Sequence, residues 1–450
     1  MSWLAAALEE TSDYPAPEGL DTFRASIDPV WVEQALAATG TATMRRRRLP
    51  AESVVWLVLG MALQRDRPIH DVLSKLELVL PGKNGDTTLA ASSAAQARQR
   101  LGEDPLRWLF DRCSQQWALE SARAHPWRGL SVFAADGTSL RVPDSAENRE
   151  HFGGPTSGRG CSGYPLVRVA SLVAARSHLI AACAFGPYAT SEYAYATELW
   201  PVVPDSSVTI VDRNFLAAAV LLGLEAGGTN RHWLTRAKST SVWSVLRSYG
   251  EHDKLVQLNV SSEARRKDPS LPVTYTARAV GYKHPGSKGQ QWLLTSLRDP
   301  NLYPAAEVVA LYHERWEIEL GYDEIKTHML ERRETIRSKT VVGVRQELWG
   351  ILLTYNLIRR EMEKIAQEAD VPPSRISFVA AMRYIRDEWS WCAVASPGSI
   401  PQKLRRMRER IKAFVIPPRR SERRYPRAVK IKMSNYPTKR RAAVAKQTPK

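Results

Sequence analysis

The sequence is poor in cysteine and has no long hydrophobic run. Its 450 residues include four cysteines, none in a Cys-x-x-Cys pair, and nine histidines without zinc-ligand spacing. We therefore expect reduced thiols and no zinc site, which is typical of a cytoplasmic protein. The longest apolar run, at about 54–63, is too short to cross a bilayer, and the start of the chain lacks the basic region of a secretion signal. The sequence thus predicts no membrane partner.

Positive charge is concentrated at one end of the chain. The net charge is +17, and the stretch from Lys403 to Lys450 holds 18 Lys or Arg residues against two Glu. A region of this kind gains affinity for a polyanion by releasing counterions, so nucleic acid is the predicted partner. A tail that only improves solubility is the alternative. We expect residues 401–450 to be a disordered basic tail.

Residues 1–128 have the pattern of a helical domain. Helices are predicted at 51–63 and 69–78, then from a cap at Ser92 or Ser93 to Gly102, and from Asp104 to about Arg123. Short helices with arginines at 45–48, 98 and 100 favour a module of the helix-turn-helix type that binds DNA ends. A packing and dimer-contact region with solvated arginines is the alternative.

From residue 130 the pattern changes to strands. Strands are predicted at 130–142, 166–175 and 178–185, followed by a helix at 191–202, a strand at 207–211, a helix at 217–225 and a strand at 232–236. This is the order expected of an α/β fold with a ribonuclease-H-like mixed sheet. We place the two parts of this core in 129–237 and 291–345, with a β-rich insertion in 238–290 that contains predicted strands at 255–260 and 273–282. Helices are predicted at 341–368 and 374–391, and the C-terminal helices in 346–400 are suited to dimerisation.

The segment 304–329 is rich in helix-forming residues, and we predict one continuous helix. At about 100° per residue, four polar side chains then share a stripe roughly 60° wide. They are Tyr312, Arg315, Glu319 and Lys326. The alternative is a solvated amphipathic helix with ordinary i,i+4 ion pairs.

The spacing of these four residues resembles the signature of a known family. Tyr, two residues, Arg, three residues, Glu, six residues and Lys is similar to the motif of the insertion sequence 4 family of bacterial DDE transposases. Such a family implies two aspartates upstream, each following a strand. Asp136 follows 132–135 and Asp212 follows 208–211. An Asp-Gly hairpin turn and a helix cap are the respective alternatives.

The resemblance implies a catalytic site. Asp136, Asp212 and Glu319 would form the catalytic triad and hold two Mg²⁺ (or Mn²⁺) ions, with Asp136 bridging both. Three further residues would contact DNA: Arg315 and Lys326 the backbone phosphates, and Tyr312 a terminal phosphate.

Trp292 matches a family tryptophan on which a flipped base stacks. A core position is the alternative, because it precedes two leucines in a strand.

The predicted function is cut-and-paste transposition. The partners implied by the resemblance are double-stranded DNA with terminal inverted repeats, target DNA and a second copy of this chain in a paired-end complex. We expect the protein in the bacterial cytoplasm, at the nucleoid. The alternatives are a ribonuclease-H-like nuclease that does not join strands, and a silenced transposase that acts as a DNA-binding repressor.

Overall fold

The computed structural model describes residues 27–42, 48–81, 89–157, 160–283, 289–331, 336–392 and 400–417. Its strands are β1 (Ser131–Arg141), β2 (Thr156–Ser157), β3 (Gly160–Cys161), β4 (Leu166–Ala174), β5 (Ile180–Pro187), β6 (Ser207–Val211), β7 (Arg231–Arg236), β8 (Ser244–Gly250), β9 (Asp253–Asn259), β10 (Thr274–Tyr282) and β11 (Gln291–Thr295). Nine of them form one sheet in the order β5-β4-β1-β6-β7-β11-β10-β9-β8, and β2 pairs with β3.

The helices lie before, between and after these strands. They are α1 (Pro29–Ala38), α2 (Ala51–Leu63), α3 (Ile69–Lys75), α4 (Ala91–Leu101), α5 (Asp104–Ala124), α6 (Ala146–Phe152), α7 (Glu192–Thr197), α8 (Ala218–Ala226), α9 (Ser262–Lys267), α10 (Ala305–His313), α11 (Trp316–Asp323), α12 (Val341–Glu368), α13 (Phe378–Cys392) and α14 (Ile400–Lys412). No helix in the described ranges is both long and apolar enough to span a membrane.

Five strands make the ribonuclease-H-like part of the sheet. β1, β4 and β5 are antiparallel neighbours, while β1, β6 and β7 run parallel. The resulting order of the first five long strands is third, second, first, fourth, fifth, and the predicted mixed α/β fold is confirmed. Strand β6 is buried along its whole length, as expected of a short apolar strand between parallel neighbours.

The strands of the segment 238–290 extend this sheet. β11 returns antiparallel to β7, and β10, β9 and β8 follow outward from it. The segment contains the two predicted strands. It also contains β8 and α9, which the sequence pattern did not indicate. Strand β8 forms the edge of the sheet, and most of its residues are exposed. An exposed strand shows no alternation of apolar and polar residues that would mark it in the sequence.

The N-terminal helices agree with the sequence pattern except at two ends. α2 has the predicted bounds, whereas α3 stops at Lys75 and α4 begins at Ala91. The predicted serine cap of α4 is wrong, because the residue before this helix is Ala90 and its side chain makes no cap bond. The last ten residues of α2 are buried on every side, since this helix packs against α12 and against α1, α3 and α4.

The C-terminal helices correct the prediction for the tail. α12 has the predicted bounds, and Thr340 caps it by accepting a hydrogen bond from Gly343 N at 3.2 Å. The first 12 residues of the predicted disordered tail instead belong to α14. Met407 and Ile411 on this helix are buried, and Arg408 pairs with Glu361 of α12. Apolar contacts and ion pairs therefore order a stretch whose composition alone predicts disorder. The remainder of the tail, 418–450, lies outside the described residues.

Candidate active site

The two predicted aspartates lie side by side because of the strand register. In the parallel pair of β1 and β6, Ala135 lies opposite Val211, so the next residues, Asp136 and Asp212, are neighbours. Asp212 keeps an extended backbone, with φ −68° and ψ 157°. Asp136 lies within β1 rather than in a hairpin turn, and the Asp212 side chain makes no cap bond to the short 3₁₀ turn that follows. Neither structural alternative for these aspartates is therefore observed.

The Asp136 carboxyl group is mostly buried. Its Oδ1 accepts a hydrogen bond from Gly137 N at 2.7 Å, and the backbone carbonyl of Asp136 accepts one from the Tyr322 hydroxyl, also at 2.7 Å. Burial raises the pKa of Asp136 to about 6. The Gly137 N–H and Arg315 oppose this rise, while the charges of Asp212 and Glu192 add to it. The site therefore favours a cation near this carboxylate.

Glu192 packs against Gly137, on the face of the sheet opposite the Asp136 side chain. A Cβ atom placed on Gly137 would come within 2.7 Å of Glu192 Cδ, and Gly137 and Asp136 point to opposite faces of β1. Ser191 caps α7 by accepting a hydrogen bond from Ala194 N at 3.2 Å, which fixes Glu192 in the first turn. No pattern in the sequence indicates this contact, because it depends on the packing of α7 on β1. It explains why a glycine follows Asp136.

The helix that carries Glu319 is not continuous, and the prediction of one helix over 304–329 is wrong. α10 ends at His313, α11 begins at Trp316, and residues Glu324–Met329 are π-helical. At the break, the backbone bonds tighten to the i,i+3 type, including Arg315 N to Tyr312 O at 3.1 Å. Arg176 holds Glu314 through two hydrogen bonds, of 2.9 and 2.8 Å. Angles taken from one ideal helix therefore do not hold across the segment.

Arg315 joins the carboxylates. Its Nη2 lies 2.7 Å from Glu319 Oε1, and its Nη1 lies 3.9 Å from Asp136 Oδ2. The Nε atom of Arg315 is buried and makes no hydrogen bond with any described residue. Within the described part of the chain, no three His, Cys, Asp or Glu side chains lie close enough together to hold a metal ion. The structure thus places Asp136 beside Asp212 and links Glu319 to them through a guanidinium.

Tyr312 and Lys326 differ in their access to solvent. Tyr312 is buried, with its ring centre 6.5 Å from that of Tyr282, and burial raises the pKa of its hydroxyl. Lys326 is half-buried within the π-helical segment. Since a π-helix has more residues per turn than an α-helix, the straight-helix angle predicted for Lys326 does not apply.

Trp292 lies on β11 and is half-buried, so it is not a core residue. Its ring meets that of Trp243 edge to face, with centres 5.9 Å apart, and Lys254 Nζ lies 5.6 Å from its ring centre. His252 lies against the same ring at 6.3 Å. Trp243 was missed in the sequence, because it lies 49 positions before Trp292 and no motif spacing links the two. These residues form an aromatic and basic cluster on the inserted part of the sheet.

Arg98, one arginine of the predicted DNA-binding module, is buried inside the protein. Arg98 is buried and donates hydrogen bonds to Gln346 Oε1 at 2.9 Å and to Ser338 Oγ at 3.0 Å. It therefore fastens α4 to α12 and cannot contact DNA in this arrangement. Arg100 is exposed, while residues 45–47 of the arginine run lie outside the described ranges.

Comparison with known proteins gives matches over most of the chain. Residues 17–111 match the family model for the insertion element 4 transposase N-terminal region, and residues 127–357 match the transposase DDE domain. Transposase InsG for insertion sequence element IS4, of Escherichia coli (strain K12), is 38% identical over 414 residues, covering 92% of each chain.

Two further matches are more distant or shorter. InsZ of the same organism is 36% identical over 233 residues, which are 51% of this chain and 76% of that protein. The solved piggyBac transposase synaptic complex with hairpin DNA aligns with a TM-score of 0.43 and 12% identity, over 89% of this chain and 85% of that one.

Proposed function

The chain belongs to the insertion sequence 4 family of DDE transposases, metal-dependent enzymes of DNA transposition, and from this premise we propose how its residues divide the reaction. The observation that best supports the proposal is the register of β1 and β6, which sets Asp136 beside Asp212. The contacts of Arg315 with both Asp136 and Glu319 support the assignment of Glu319 as the third carboxylate.

The three carboxylates form the metal site of this proposal. Oxygen ligands of this kind suit Mg²⁺ or Mn²⁺, and the raised pKa of Asp136 marks a place where a cation would relieve the burial of charge. Asp136, Asp212 and Glu319 would together hold the metal. The bound ions would supply an activated water molecule and offset the charge that develops on the leaving oxygen.

Arg315 would exchange Glu319 for a DNA phosphate during the reaction. Its guanidinium holds Glu319 in the protein without DNA, and a planar guanidinium binds a phosphate in the same forked way. When a backbone phosphate arrives, Arg315 would bind it and release Glu319 toward Asp136. Lys326 would contact the adjacent phosphate as a point charge. Tyr312 is buried and would contact a terminal phosphate only through its hydroxyl group.

The cluster around Trp292 would receive a displaced base. Aromatic rings bind any base by stacking, and Lys254 beside the ring would contact the backbone phosphates. Stacking here would follow the unpairing of the terminal base pair.

The reaction sequence proposed is cut-and-paste transposition. One strand is nicked at each inverted-repeat end, the freed 3′-OH attacks the opposite strand to form a hairpin, the hairpin is reopened, and the 3′ ends are joined to target DNA. Residues 1–128 would bind the ends, and the helices in 346–400 would contribute to a homodimer that pairs two ends. The protein would act at the nucleoid, in the bacterial cytoplasm.

The decisive assay uses purified protein, Mn²⁺ and DNA carrying the sequences that flank its own gene, beside an Asp136→Ala control. Metal-dependent nicks at matching inverted ends, followed by joined products and absent in the variant, support the proposal. Nicks without joining would indicate a nuclease, and binding without nicks a repressor. If the folded protein neither binds nor nicks intact ends, the proposal fails.

A further inference from the structure

The side of the catalytic helix that faces away from Glu319 carries a second pair of carboxylates. Glu317 precedes Glu319 by two positions, which is about 200° around an α-helix, so the two side chains leave α11 on opposite sides. Glu324 follows as the first residue of the π-helical segment. Both Glu317 and Glu324 are largely buried, with 16% and 14% of their side chains exposed. A solvated helix face would leave such side chains exposed.

Two basic residues bind these carboxylates. His178 Nε2 lies 2.7 Å from Glu317 Oε2, and its Nδ1 lies 3.5 Å from Glu324 Oε2. Arg359 of α12 donates a hydrogen bond to Glu324 and contacts the His178 ring. The Tyr355 hydroxyl donates to Glu324 at 2.8 Å. We name these five residues, His178, Glu317, Glu324, Tyr355 and Arg359, the rear clamp.

The rear clamp is deeply buried. Only 3% of the His178 side chain and 2% of the Arg359 side chain are exposed. A buried charge is tolerated only when it is paired and hydrogen-bonded, and removing one partner strands the other. Burial alone would raise the pKa of Glu324, but Arg359 and His178 lower it to about 2. Glu324 is therefore held as a carboxylate.

The rear clamp joins three elements that are distant in sequence. His178 lies in the turn between β4 and β5 with a left-handed backbone, at φ 63°, and Arg359 lies on α12. α12 packs on α2 and α5, and these three helices form one helical layer. The clamp thus bonds the catalytic helix to that layer and to a sheet turn at the point where the helix changes from α to π winding. π-helical turns within α-helices are frequent at functional sites.

We propose that His178 and Arg359 are positioning residues for catalysis, which hold Glu324 and Glu317 so that Glu319 and Lys326 face the aspartates. The inference rests on the proposed function, since it assigns Glu319 and Lys326 their roles. Neither His178 nor Arg359 touches the reacting atoms. The break at Glu314 leaves α11 without a continuous helix on its N-terminal side, so its rotation depends on contacts along its rear face. A small rotation of α11 would displace the Glu319 carboxylate.

A matched control is available on the same long helix. Glu347 is also buried and paired with an arginine, Arg65, which lies just after α2. Its Oε2 accepts a hydrogen bond from Ser338 Oγ at 2.7 Å. It has no contact with α11 among its described partners. Loss of Glu347 would weaken folding through the same kind of buried pair without acting on the catalytic helix.

The test compares Glu324→Gln with Glu347→Gln in the full chain. We expect Glu324→Gln to bind DNA ends as the unaltered protein does. Its single-turnover nicking should fall by about tenfold or more, since a displacement of roughly 1 Å can cost on the order of a hundredfold. Mn²⁺ binding to the DNA-bound protein, measured by electron paramagnetic resonance, should weaken in parallel. Arg359→Lys should recover part of the loss seen in Arg359→Met, and Glu347→Gln should change neither quantity.

Equal losses of nicking and Mn²⁺ affinity in Glu324→Gln and Glu347→Gln would contradict the proposal, as would unaltered values in a folded Glu324→Gln. If Glu324→Gln fails to fold, nicking and Mn²⁺ binding are compared between Arg359→Lys and Arg359→Met instead. Equal values for these two variants would then contradict the proposal. If the unaltered protein does not nick DNA, the proposed function fails. The Mn²⁺ measurement still tests the clamp in that case.

Discussion

Arg315 Nη2 lies 2.7 Å from Glu319 Oε1, while Nη1 of the same side chain lies 3.9 Å from Asp136 Oδ2. One organic cation thus faces two of the three carboxylates to which we assign metal binding. Since like charges destabilise one another, a cation at this place stabilises the protein without metal. A metal ion and the Arg315 guanidinium would compete for the same Glu319 oxygen. Glu319 can therefore bind metal only after Arg315 has moved to another anion, such as a DNA phosphate.

The first prediction concerns this competition. Arg315→Ala should bind Mn²⁺ more tightly than the unaltered protein in the absence of DNA, by roughly severalfold, because Glu319 is released and a positive charge is removed. DNA nicking should nevertheless fall, since the phosphate contact is lost. Isothermal titration calorimetry measures the affinity, and Arg405→Ala, at an exposed arginine on α14, is the control. Weaker or unchanged Mn²⁺ binding by Arg315→Ala would contradict the competition.

The second prediction concerns the stability of the protein without metal. The pKa of Asp136 is raised to about 6 in the folded chain, against about 3.9 for an unperturbed aspartate. A raised carboxyl pKa means that the charged form destabilises the fold. This cost appears as pH rises from about 4 to 6 and is constant above that range.

Asp136→Asn should therefore raise the free energy of unfolding in EDTA at pH 8 by roughly 1–3 kcal/mol, while it abolishes nicking. The gain should nearly vanish at pH 3, where the aspartate is largely protonated in both states. Chemical unfolding followed by circular dichroism at the two pH values checks this sign. A variant that is less stable than the parent at pH 8 would contradict this prediction, because it would show that the charged carboxylate stabilises the fold.

A third prediction concerns the glycine after Asp136. Gly137→Ala would bring a Cβ within 2.7 Å of Glu192 Cδ and within 2.8 Å of its Cγ, so the Glu192 side chain must rotate away from β1. We expect a loss of about 1 kcal/mol of stability and a fall in nicking, because the carboxylate next to Asp136 is displaced. Adding Glu192→Ala should restore much of the stability.

The matched control for this change is Gly223→Ala on α8. A Cβ at Gly223 would meet nothing within 4 Å, and the residue is exposed. Alanine there should be neutral or stabilising by up to about 1 kcal/mol, through helix propensity. Thermal denaturation of the three variants separates the steric effect from the general effect of replacing glycine. Equal behaviour of Gly137→Ala and Gly223→Ala would contradict the close approach of Glu192.

A fourth prediction has the opposite dependence on pH. The folded pKa of Glu324 is lowered to about 2, so its contribution to stability is fully present above the unfolded pKa of about 4.3. It is lost as pH falls from about 4.3 toward 2. The stability difference between the unaltered protein and Glu324→Gln should thus shrink by roughly 3 kcal/mol across that range. Urea unfolding at several acidic pH values measures it, and a constant difference would contradict the pairing of Glu324 with Arg359.

The sequence predicted the strands and helices whose own apolar pattern defines them. β6 and α12 have the predicted bounds, since each is buried along most of its length and its composition carries the signal. The helix break at Glu314 had no such signal. No proline or glycine lies there, and the pair with Arg176 joins residues 138 positions apart. α14 was missed for a related reason, because two buried residues and distant glutamates outweigh its basic composition.

The site was predictable where motif and strand order agree. Asp136 lies within β1 and Asp212 directly follows β6, two strands that are parallel neighbours in a ribonuclease-H-like sheet, and the register places the two aspartates together. Contacts between side chains were not predictable, including Arg98 with Gln346 and Trp243 with Trp292. Both depend on how separate elements pack. Arg98 in particular looked like a DNA contact in the sequence and is a buried fastening between two helices.

Asp136, Asp212 and Glu319 should hold the same metal ions when DNA is bound. Fe²⁺ in the metal site, with ascorbate and peroxide, generates radicals that cut the polypeptide beside its ligands, and mass spectrometry locates the cuts. With DNA ends present, we predict cuts near residues 136, 212 and 319, all suppressed by excess Mg²⁺. Cuts near 136 and 212 alone, with DNA bound and Glu319 intact, would contradict the claim.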